Sequence, residues 1–167
     1  MDFFIQDLYP DDVAWCFGCG RLNPHGHHFK TTWEDGIAVT RYRPEEKYTA
    51  IPGYVYGGFL ASLVDCHSTG AAAWAAYLAR GHKPGDTDPA PRFVTASLKV
   101  DFLKPTPQGV ELVAKGRIVE HKGRKVVVET EVWAGDVVTV KGHAVLVEVP
   151  EGMVRPKQAH GGGGPTR

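Results

Sequence analysis

The sequence has few of the features that mark a membrane, secreted or nucleic-acid-binding protein. Only three of its 167 residues are cysteine, an odd number without a disulfide framework, so a reducing compartment is expected. Nineteen basic residues balance nineteen acidic ones, and a net charge of zero gives no electrostatic reason to expect nucleic acid or an anionic lipid surface as a partner. No uninterrupted apolar run reaches the length of a membrane span.

The N-terminal residues MDFFIQDLYPDD are acidic and lack the basic start and apolar core of a signal peptide. We therefore expect a cytoplasmic protein. The hydrophobic fraction of 43% and the charged fraction of 23% are ordinary for a globular domain with a real core. We predict a single domain over residues 1–153, with an N-terminal arm at 1–15 and a flexible glycine-rich tail at 154–167.

The polarity pattern predicts two short strands, one long helix and then four strands. The first two strands flank Glu34-Asp35-Gly36, which is a hairpin signal, and the helix runs from about Gly58 to Arg80 and is capped by Gly81. The pattern places the strands at 28–33, 37–42, 92–103, 110–120, 125–133 and 137–149, with a bulge near Gly142. A meander of this kind curls around a helix that is apolar on most of its circumference.

The long helix carries one acid, Asp65, in its interior. At about 100° per residue, Asp65 shares its stripe with small and polar side chains, namely Ala61, Ser62, Ser68, Thr69 and Ala72. The opposite stripe is bulky and apolar, with Leu60, Leu63, His67, Ala71, Trp74 and Leu78. Asp65 therefore lines either a cavity or a helix–helix contact, and two readings stay open: a functional acid, or a structural one bonded across a subunit interface.

The start of the same helix has the composition of an anion site. Gly57 and Gly58 leave the backbone open there, so the first N–H groups can face a ligand oxygen, and the helix dipole favours negative charge at this end. An oxyanion-binding helix start and an acid on one helix are the parts that acyl chemistry needs.

Three stretches resemble the hotdog-fold acyl-CoA thioesterases, and specifically the branch related to the phenylacetate-pathway thioesterases. CFGCGRLNPHG at 16–26 is similar to that branch's Cys-x-x-Cys-Gly loop with Asn-Pro-x-Gly. PGYVYGGFLASLVD at 52–65 is similar to its glycine-pair helix entry and helical acid, and TASLKVDFLKPTPQG at 95–109 to its strand ending in Phe-Leu-Lys/Arg-Pro. The resemblance implies an α+β hotdog fold, a curled antiparallel sheet wrapped around one long central helix.

The resemblance also implies roles for single residues. The Gly58 N–H would hold the thioester carbonyl oxygen, and Asp65 would attack the carbonyl carbon or activate a water. Thr69 and Asn23 match a hydroxyl and an amide that come near the water or the thioester oxygen. The family's sites lie between subunits, so a homodimer or homotetramer is expected. No cofactor is expected, because coenzyme A is part of the substrate.

Tyr56 stands where this family usually has a histidine before the two glycines. A tyrosine can donate a hydrogen bond but does not titrate near neutral pH. The alternative to an enzyme is therefore a non-catalytic protein that binds acyl-CoA or lipid. We place Tyr56, Gly57 and Ser68 among the substrate-binding residues.

A basic turn late in the chain is the best candidate for contacts to coenzyme A phosphates. Lys122, Arg124 and Lys125 surround a glycine there and collect three cations. The alternative is a solvated strand face, since single surface lysines rarely have a specific partner.

The cysteines allow a metal site as an alternative to packing. Cys16 and Cys19 are followed by His25, His27 and His28, but these histidines lie too close in sequence for a zinc finger. We expect no metal, with the thiols packing as small apolar groups. Cys66 and His67 follow Asp65 directly, and neighbours at these spacings do not share a helix face, so both are expected to be packing residues.

Overall fold

A computed structural model describes residues 2–150, and its elements follow the predicted order. Two short 3-10 helices, Ile5–Leu8 and Asp11–Val13, precede the first strand. The remaining elements are β1 (Thr31–Glu34), β2 (Ile37–Tyr42), α1 (Gly57–Ala79), β3 (Phe93–Phe102), β4 (Leu112–Lys122), β5 (Lys125–Ala134) and β6 (Val137–Glu148). The tail predicted at 154–167, the end of the domain predicted at 1–153, and Met1 lie outside the described residues.

The six strands form one antiparallel sheet in the order β1-β2-β4-β5-β6-β3. The helix α1 contacts every strand, including the two edge strands β1 and β3, which lie on opposite sides of it. Trp74 donates a hydrogen bond to the Thr31 carbonyl on β1 at 2.8 Å, whereas Asp65 accepts one from Thr95 on β3. A sheet whose two edges both reach one helix is curled around it, so the predicted fold is confirmed.

Glycines allow the helix and sheet to approach closely. A Cβ at Gly142 on β6 would lie 2.4 Å from Cγ1 of Val64, and one at Gly116 on β4 would lie 2.5 Å from Nε2 of His67. No side chain fits between the two layers at these points, because such distances are well below van der Waals contact. The central part of α1 therefore rests directly on the backbone of the sheet.

The predicted bulge near Gly142 is wrong. Gly142 pairs regularly with Thr130 and Val100 on its two neighbours, and the pairing of β5 with β6 slips instead at Thr139. Gly142 is retained for the close contact with Val64 rather than for a break in the strand. A second irregularity lies in β3, between Thr95 and Ser97.

The predicted turns and helix end are confirmed. Asp35 and Gly36 join β1 to β2 with φ values of 49° and 83°, as a two-residue hairpin requires. Gly81 has a φ of 87°, and its N–H donates to the Leu78 carbonyl at 3.0 Å, which caps α1.

The helix is buried on more of its surface than the stripe pattern predicted. The predicted apolar stripe is buried as expected, including His67 with no exposed surface, while Leu78 is partly exposed. Ser68, Thr69 and Ala72 are buried too, so the predicted small and polar stripe is open only near Gly58, Ala61, Ser62 and Asp65. This opening lies beside the edge strand β3. We call it the open stripe.

The described part of the predicted N-terminal arm packs against the body. Ile5 and Tyr9 are buried in the core around α1, and the buried Gln6 side chain hydrogen-bonds to Thr31 on β1. Within residues 2–150, no helix is both long enough and apolar enough to cross a membrane.

Candidate active site

The start of α1 is held in position by neighbouring backbone. Tyr56 is the N-cap residue, with an extended backbone, and its N–H donates to the Tyr48 carbonyl at 3.0 Å. Val55 is fixed in the same way by the Thr106 carbonyl, at 2.9 Å. The Tyr56 side chain makes no capping hydrogen bond, so it leaves the first amides of the helix to a ligand or to solvent.

Two aromatic rings explain why this helix begins with two glycines. A Cβ at Gly58 would lie 2.6 Å from Cε2 of Tyr56, and one at Gly57 would lie 3.2 Å from the Phe102 ring. The rings occupy the space that side chains would need, and the backbone amides remain at the surface between them. A cavity of about 340 Å³ adjoins this point and is lined by Gly57, Leu60, Phe102 and Lys104, among others.

Asp65 lies on the open stripe, partly exposed, with one carboxylate oxygen already engaged. The Thr95 hydroxyl donates a hydrogen bond to Oδ1 of Asp65. The other oxygen, Oδ2, has acceptor capacity left for a ligand or a water molecule. Thr95 therefore fixes the orientation of the one acid on the helix.

Sequence reasoning missed Thr95 because of the bulge in β3. Strict alternation with Leu98, Val100 and Phe102 would place Thr95 on the opposite face of the sheet. The register shift after Thr95 reverses this and turns its side chain toward α1. A polar residue beside an apolar alternation was the only available signal.

The distance between Gly58 and Asp65 is set by the helix itself. Seven residues turn through about 700°, which brings both positions to the same face, and rise by about 10.5 Å. A reacting carbonyl group must lie about 3 Å from both the oxyanion donor and the acid. One copy of α1 therefore holds the two groups too far apart for Asp65 to attack directly a carbonyl bound at its own Gly58 amide.

The other predicted catalytic residues make contacts within their own local structure. Thr69 is buried and its hydroxyl donates to the Cys66 carbonyl at 2.9 Å, while the Ser68 hydroxyl donates to the Val64 carbonyl at 2.6 Å. The Asn23 amide donates to the Trp15 carbonyl at 3.2 Å and accepts from the His25 N–H at 3.0 Å. These bonds shape the helix and the loop, respectively.

The structure separates the basic turn from the helix start within one chain. Lys125 pairs with Val147, which in turn pairs with Val94, eight residues along β3 from Phe102 at the helix start. Eight strand residues span about 26 Å. Arg124 donates to the Glu148 carbonyl, and Lys125 forms an exposed ion pair with Glu120 at 2.9 Å.

The histidines of the N-terminal loop do not join the cysteines. The His27 ring packs among Phe17, Phe29, Tyr48 and Phe59, with centroids 5.0–5.1 Å apart, and burial lowers its pKa. His28 bonds through Nε2 to the Asn23 carbonyl at 2.5 Å. The third group near Cys16 and Cys19 is instead Cys66, which the sequence analysis had treated as a packing residue.

The three thiols share hydrogen bonds and are not equivalent. Bonds from Cys19 and Cys66 hold the pKa of the Cys16 thiol below its usual value. The bond to Cys16 raises the pKa of Cys19 to about 12 and raises that of Cys66 as well. Among residues 2–150, this cluster and an exposed His82–Asp86–Asp88 group are the places where three such side chains could hold a cation.

Comparison with known proteins identifies the family. The sequence model of the thioesterase superfamily matches residues 52–141, which include the helix start, Asp65 and most of the sheet. The chain belongs to this superfamily.

A thioesterase superfamily protein from Shewanella loihica PV-4 shares 41% identity, with a TM-score of 0.62 over 77% of this chain and 96% of that one. The E. coli PaaI protein of the phenylacetic acid degradation operon shares the fold, at 16% identity, with a TM-score of 0.60 over 74% of this chain and 81% of that one.

Curated relatives match over part of their length. The acyl-coenzyme A thioesterase THEM4 of Xenopus laevis is 29% identical over 98 residues, which are 59% of this chain and 38% of that protein. Methylthioribose-1-phosphate isomerase of Aquifex aeolicus is 36% identical over 103 residues, 61% of this chain and 19% of that protein. The chain thus spans less than two thirds of the curated relatives that it matches first.

Proposed function

We propose that the protein hydrolyses an acyl-CoA or related thioester at a site shared by two copies of the chain. The observation that carries the proposal is the pairing of an uncapped glycine helix start with a threonine-held Asp65 on the same open stripe. Both features lie in the part of the chain that matches the thioesterase superfamily.

The helix start binds the carbonyl group. The thioester oxygen accepts a hydrogen bond from the Gly58 N–H, and the bond strengthens as the oxygen gains negative charge in the transition state. The amide is fixed by the backbone bonds of Val55 and Tyr56, so little reorganisation accompanies the reaction. The Phe102 and Tyr56 rings flank the reacting group and limit the access of water.

Asp65 supplies the base or nucleophile. As a base, its Oδ2 takes a proton from the water that attacks the carbonyl carbon, the C–S bond breaks, and the proton passes to the leaving thiolate. As a nucleophile, it attacks the carbon itself, the C–S bond breaks and the thiolate leaves; water then cleaves the mixed anhydride and supplies the proton that the thiolate takes up. Both routes use the carboxylate of Asp65, whose Oδ1 accepts the hydrogen bond from Thr95.

A second copy of this chain completes the site. Leu98 and Phe102 on the helix-facing side of the edge strand are 37% and 54% exposed, next to the open stripe of α1. An apolar edge of this kind is normally covered, and a two-fold axis perpendicular to α1 would place the two helices antiparallel. That arrangement would bring Gly58 of one copy toward Asp65 of the other.

Two observations support coenzyme A as part of the substrate. The curated Xenopus laevis relative is named an acyl-coenzyme A thioesterase. Lys104 lines the cavity at the helix start and gives a phosphate partner there, while Lys122, Arg124 and Lys125 stay phosphate candidates that only a partner copy could bring near.

A non-catalytic acyl-CoA binder is the second candidate. Tyr56 favours it, because its ring packs over Gly58 and replaces a titratable residue with one that stays neutral. Such a protein would bind the thioester without turning it over.

The test is Asp65→Asn, which is nearly isosteric, measured on acyl-CoA thioesters from short to aromatic. We expect kcat to fall on the order of a hundredfold or more, with little change in the Kd for the product coenzyme A. The matched control is Asp101→Asn, an exposed aspartate of β3 paired with Lys99, which should retain wild-type turnover. Wild-type rates in Asp65→Asn would refute the enzymatic role of Asp65. Binding without turnover by the wild-type protein would select the second candidate.

A further inference from the structure

Three cysteine sulfurs converge from two separate parts of the fold. Cys16 and Cys19 lie in the loop before β1, and Cys66 lies in the middle of α1, one residue after Asp65. Their Sγ atoms all lie within 4.8 Å of one another, and those of Cys16 and Cys66 are 3.9 Å apart. Nothing in the proposed hydrolysis uses these groups.

We propose that Cys16, Cys19 and Cys66 form a three-thiolate zinc site that joins the N-terminal loop to the central helix. Zinc–thiolate bonds of about 2.3 Å in tetrahedral geometry place neighbouring sulfurs about 3.8 Å apart, close to the Cys16–Cys66 distance. The remaining sulfur, on Cys19, needs less than 1 Å of adjustment. Soft thiolate ligands select zinc over the hard cations.

The backbone of the loop is shaped around the sulfurs. A Cβ at Gly18 would lie 2.2 Å from Sγ of Cys66, so any side chain there would displace the helix thiol. A Cβ at Gly20 would lie 2.4 Å from the backbone nitrogen of Cys16. The Gly20 N–H donates to the Cys16 carbonyl at 2.7 Å, which closes the turn between the two loop cysteines. These contacts hold three sulfurs together before any cation binds.

A nearby cation balances the charge of the site. Three thiolates around Zn²⁺ carry a net charge of −1, and Nη2 of Arg92 lies 3.9 Å from Sγ of Cys19. The guanidinium is held there by the Phe93 carbonyl and by the ring of Tyr9, 5.0 Å from its centroid.

The fourth position faces outward. Cys16 is partly exposed, whereas Cys19 and Cys66 are buried, so a water molecule can reach the cation from the Cys16 side. The loop histidines do not supply this ligand, since His27 packs among aromatic rings and His28 bonds to Asn23. The site therefore differs from the cysteine–histidine site that the sequence analysis weighed and set aside, because its third ligand comes from α1.

The experiment uses the full chain, purified under reducing conditions, stripped with a chelator and titrated with Zn²⁺ and with Co²⁺. We expect one cation per chain, and for Co²⁺ the sulfur-to-metal charge-transfer band and the intense visible bands of a tetrahedral thiolate site. Cys66→Ser should weaken Zn²⁺ binding at least a hundredfold and remove the charge-transfer band, while His28→Gln should change neither.

A second variant covers the case in which Cys66→Ser does not fold. Cys16→Ser changes the most exposed of the three thiols and should lose the same spectral band, and zinc should no longer raise its melting temperature. Three outcomes would overturn the proposal. They are a stripped protein that binds no cation with all three thiols free, a disulfide between two of the cysteines in the reduced preparation, and zinc binding that survives every cysteine substitution.

Discussion

At the scale of single residues, the geometry of Asp65 depends on one hydroxyl. Thr95 donates a hydrogen bond to Oδ1 and touches neither the helix start nor the cavity beside it. It is therefore a positioning residue. Its contribution is the energy of one hydrogen bond to a charged group, which is about 1.5–3 kcal/mol.

Thr95→Val should lower kcat about tenfold or more, because the carboxylate loses its orientation, and should leave KM within about twofold. Thr95→Ser keeps the hydroxyl and should restore most of the rate. Steady-state kinetics of the two variants separate these effects. A loss in Thr95→Ser as large as that in Thr95→Val would show that the hydroxyl alone does not account for the effect and would contradict the positioning role.

His67 is the second residue whose chemistry follows from its surroundings. It is fully buried, and desolvation lowers its pKa to about 3. A chain of bonds runs from Gln6 through the Thr31 and Thr40 hydroxyls to Nδ1 of His67, and the last link is 2.8 Å long. Gln6 donates into this chain through its side-chain amide, and the Thr40 hydroxyl links Thr31 to the buried His67 ring.

This arrangement predicts a loss of stability in acid. Below pH 6.5 the unfolded state protonates His67 while the folded state does not, so its stabilising effect is complete above pH 6.5 and declines as the pH falls toward 3. At pH 4.5 the deficit is on the order of 3 kcal/mol. Urea unfolding should show a shallower decline between pH 7 and 4.5 for His67→Gln than for wild type. The exposed control His121→Gln should follow wild type, and parallel curves for all three would contradict the assigned pKa.

At the scale of elements, the contact between α1 and the sheet depends on glycines, which have no side chain to separate the two layers. Val64 of the helix occupies the space over Gly142 that a Cβ would fill. Because β6 pairs on both sides at this position, its backbone cannot shift without breaking two ladders.

Gly142→Ala should destabilise the protein by about 1–3 kcal/mol through overpacking. Val64→Ala opens space at the same point, so the double variant should be more stable than the sum of the single changes by about 1 kcal/mol. Chemical denaturation of the four proteins measures this coupling. Simple additivity would show that the helix moves away freely, and Lys141→Ala on the exposed side serves as the neutral control.

The helix and strands were predictable from the sequence because each depends on local periodicity. The ends of α1 and the turn at Asp35-Gly36 follow from glycine positions and needed no knowledge of the fold. The bulges at Ala96 and Thr139 were not predictable, because they arise from the register between strands. Because the bulge at Ala96 was not predicted, the contact between Thr95 and Asp65 was not predicted either.

The candidate site was predictable only in part, for a similar reason. Gly58 and Asp65 were found on one helix, where spacing alone determines the face that they share. The grouping of Cys66 with Cys16 joins positions 50 residues apart, and no local pattern encodes that contact. The 26 Å between the basic turn and the helix start is likewise a property of the whole sheet.

At the scale of the whole molecule, the proposed active site requires two copies of the chain. The open stripe of α1 and the apolar side of β3 form one continuous exposed surface around Asp65. A second copy that covers this surface in two-fold symmetry would supply each Asp65 with the Gly58 amide of its partner. The central claim is therefore that each active site takes one group from each chain.

Complementation between two inactive variants tests that claim most directly. Asp65→Asn keeps an intact helix start, and Gly58→Val keeps an intact acid but blocks the oxyanion amide where the Tyr56 ring lies. When the two variants are mixed in equal amounts and allowed to reassociate, half of the dimers are heterodimers. Each heterodimer contains one site with both intact groups. The account predicts that thioesterase activity recovers to about one quarter of the wild-type value per chain. Activity that stays at the sum of the two inactive parents, in a mixture shown to exchange subunits, would contradict it.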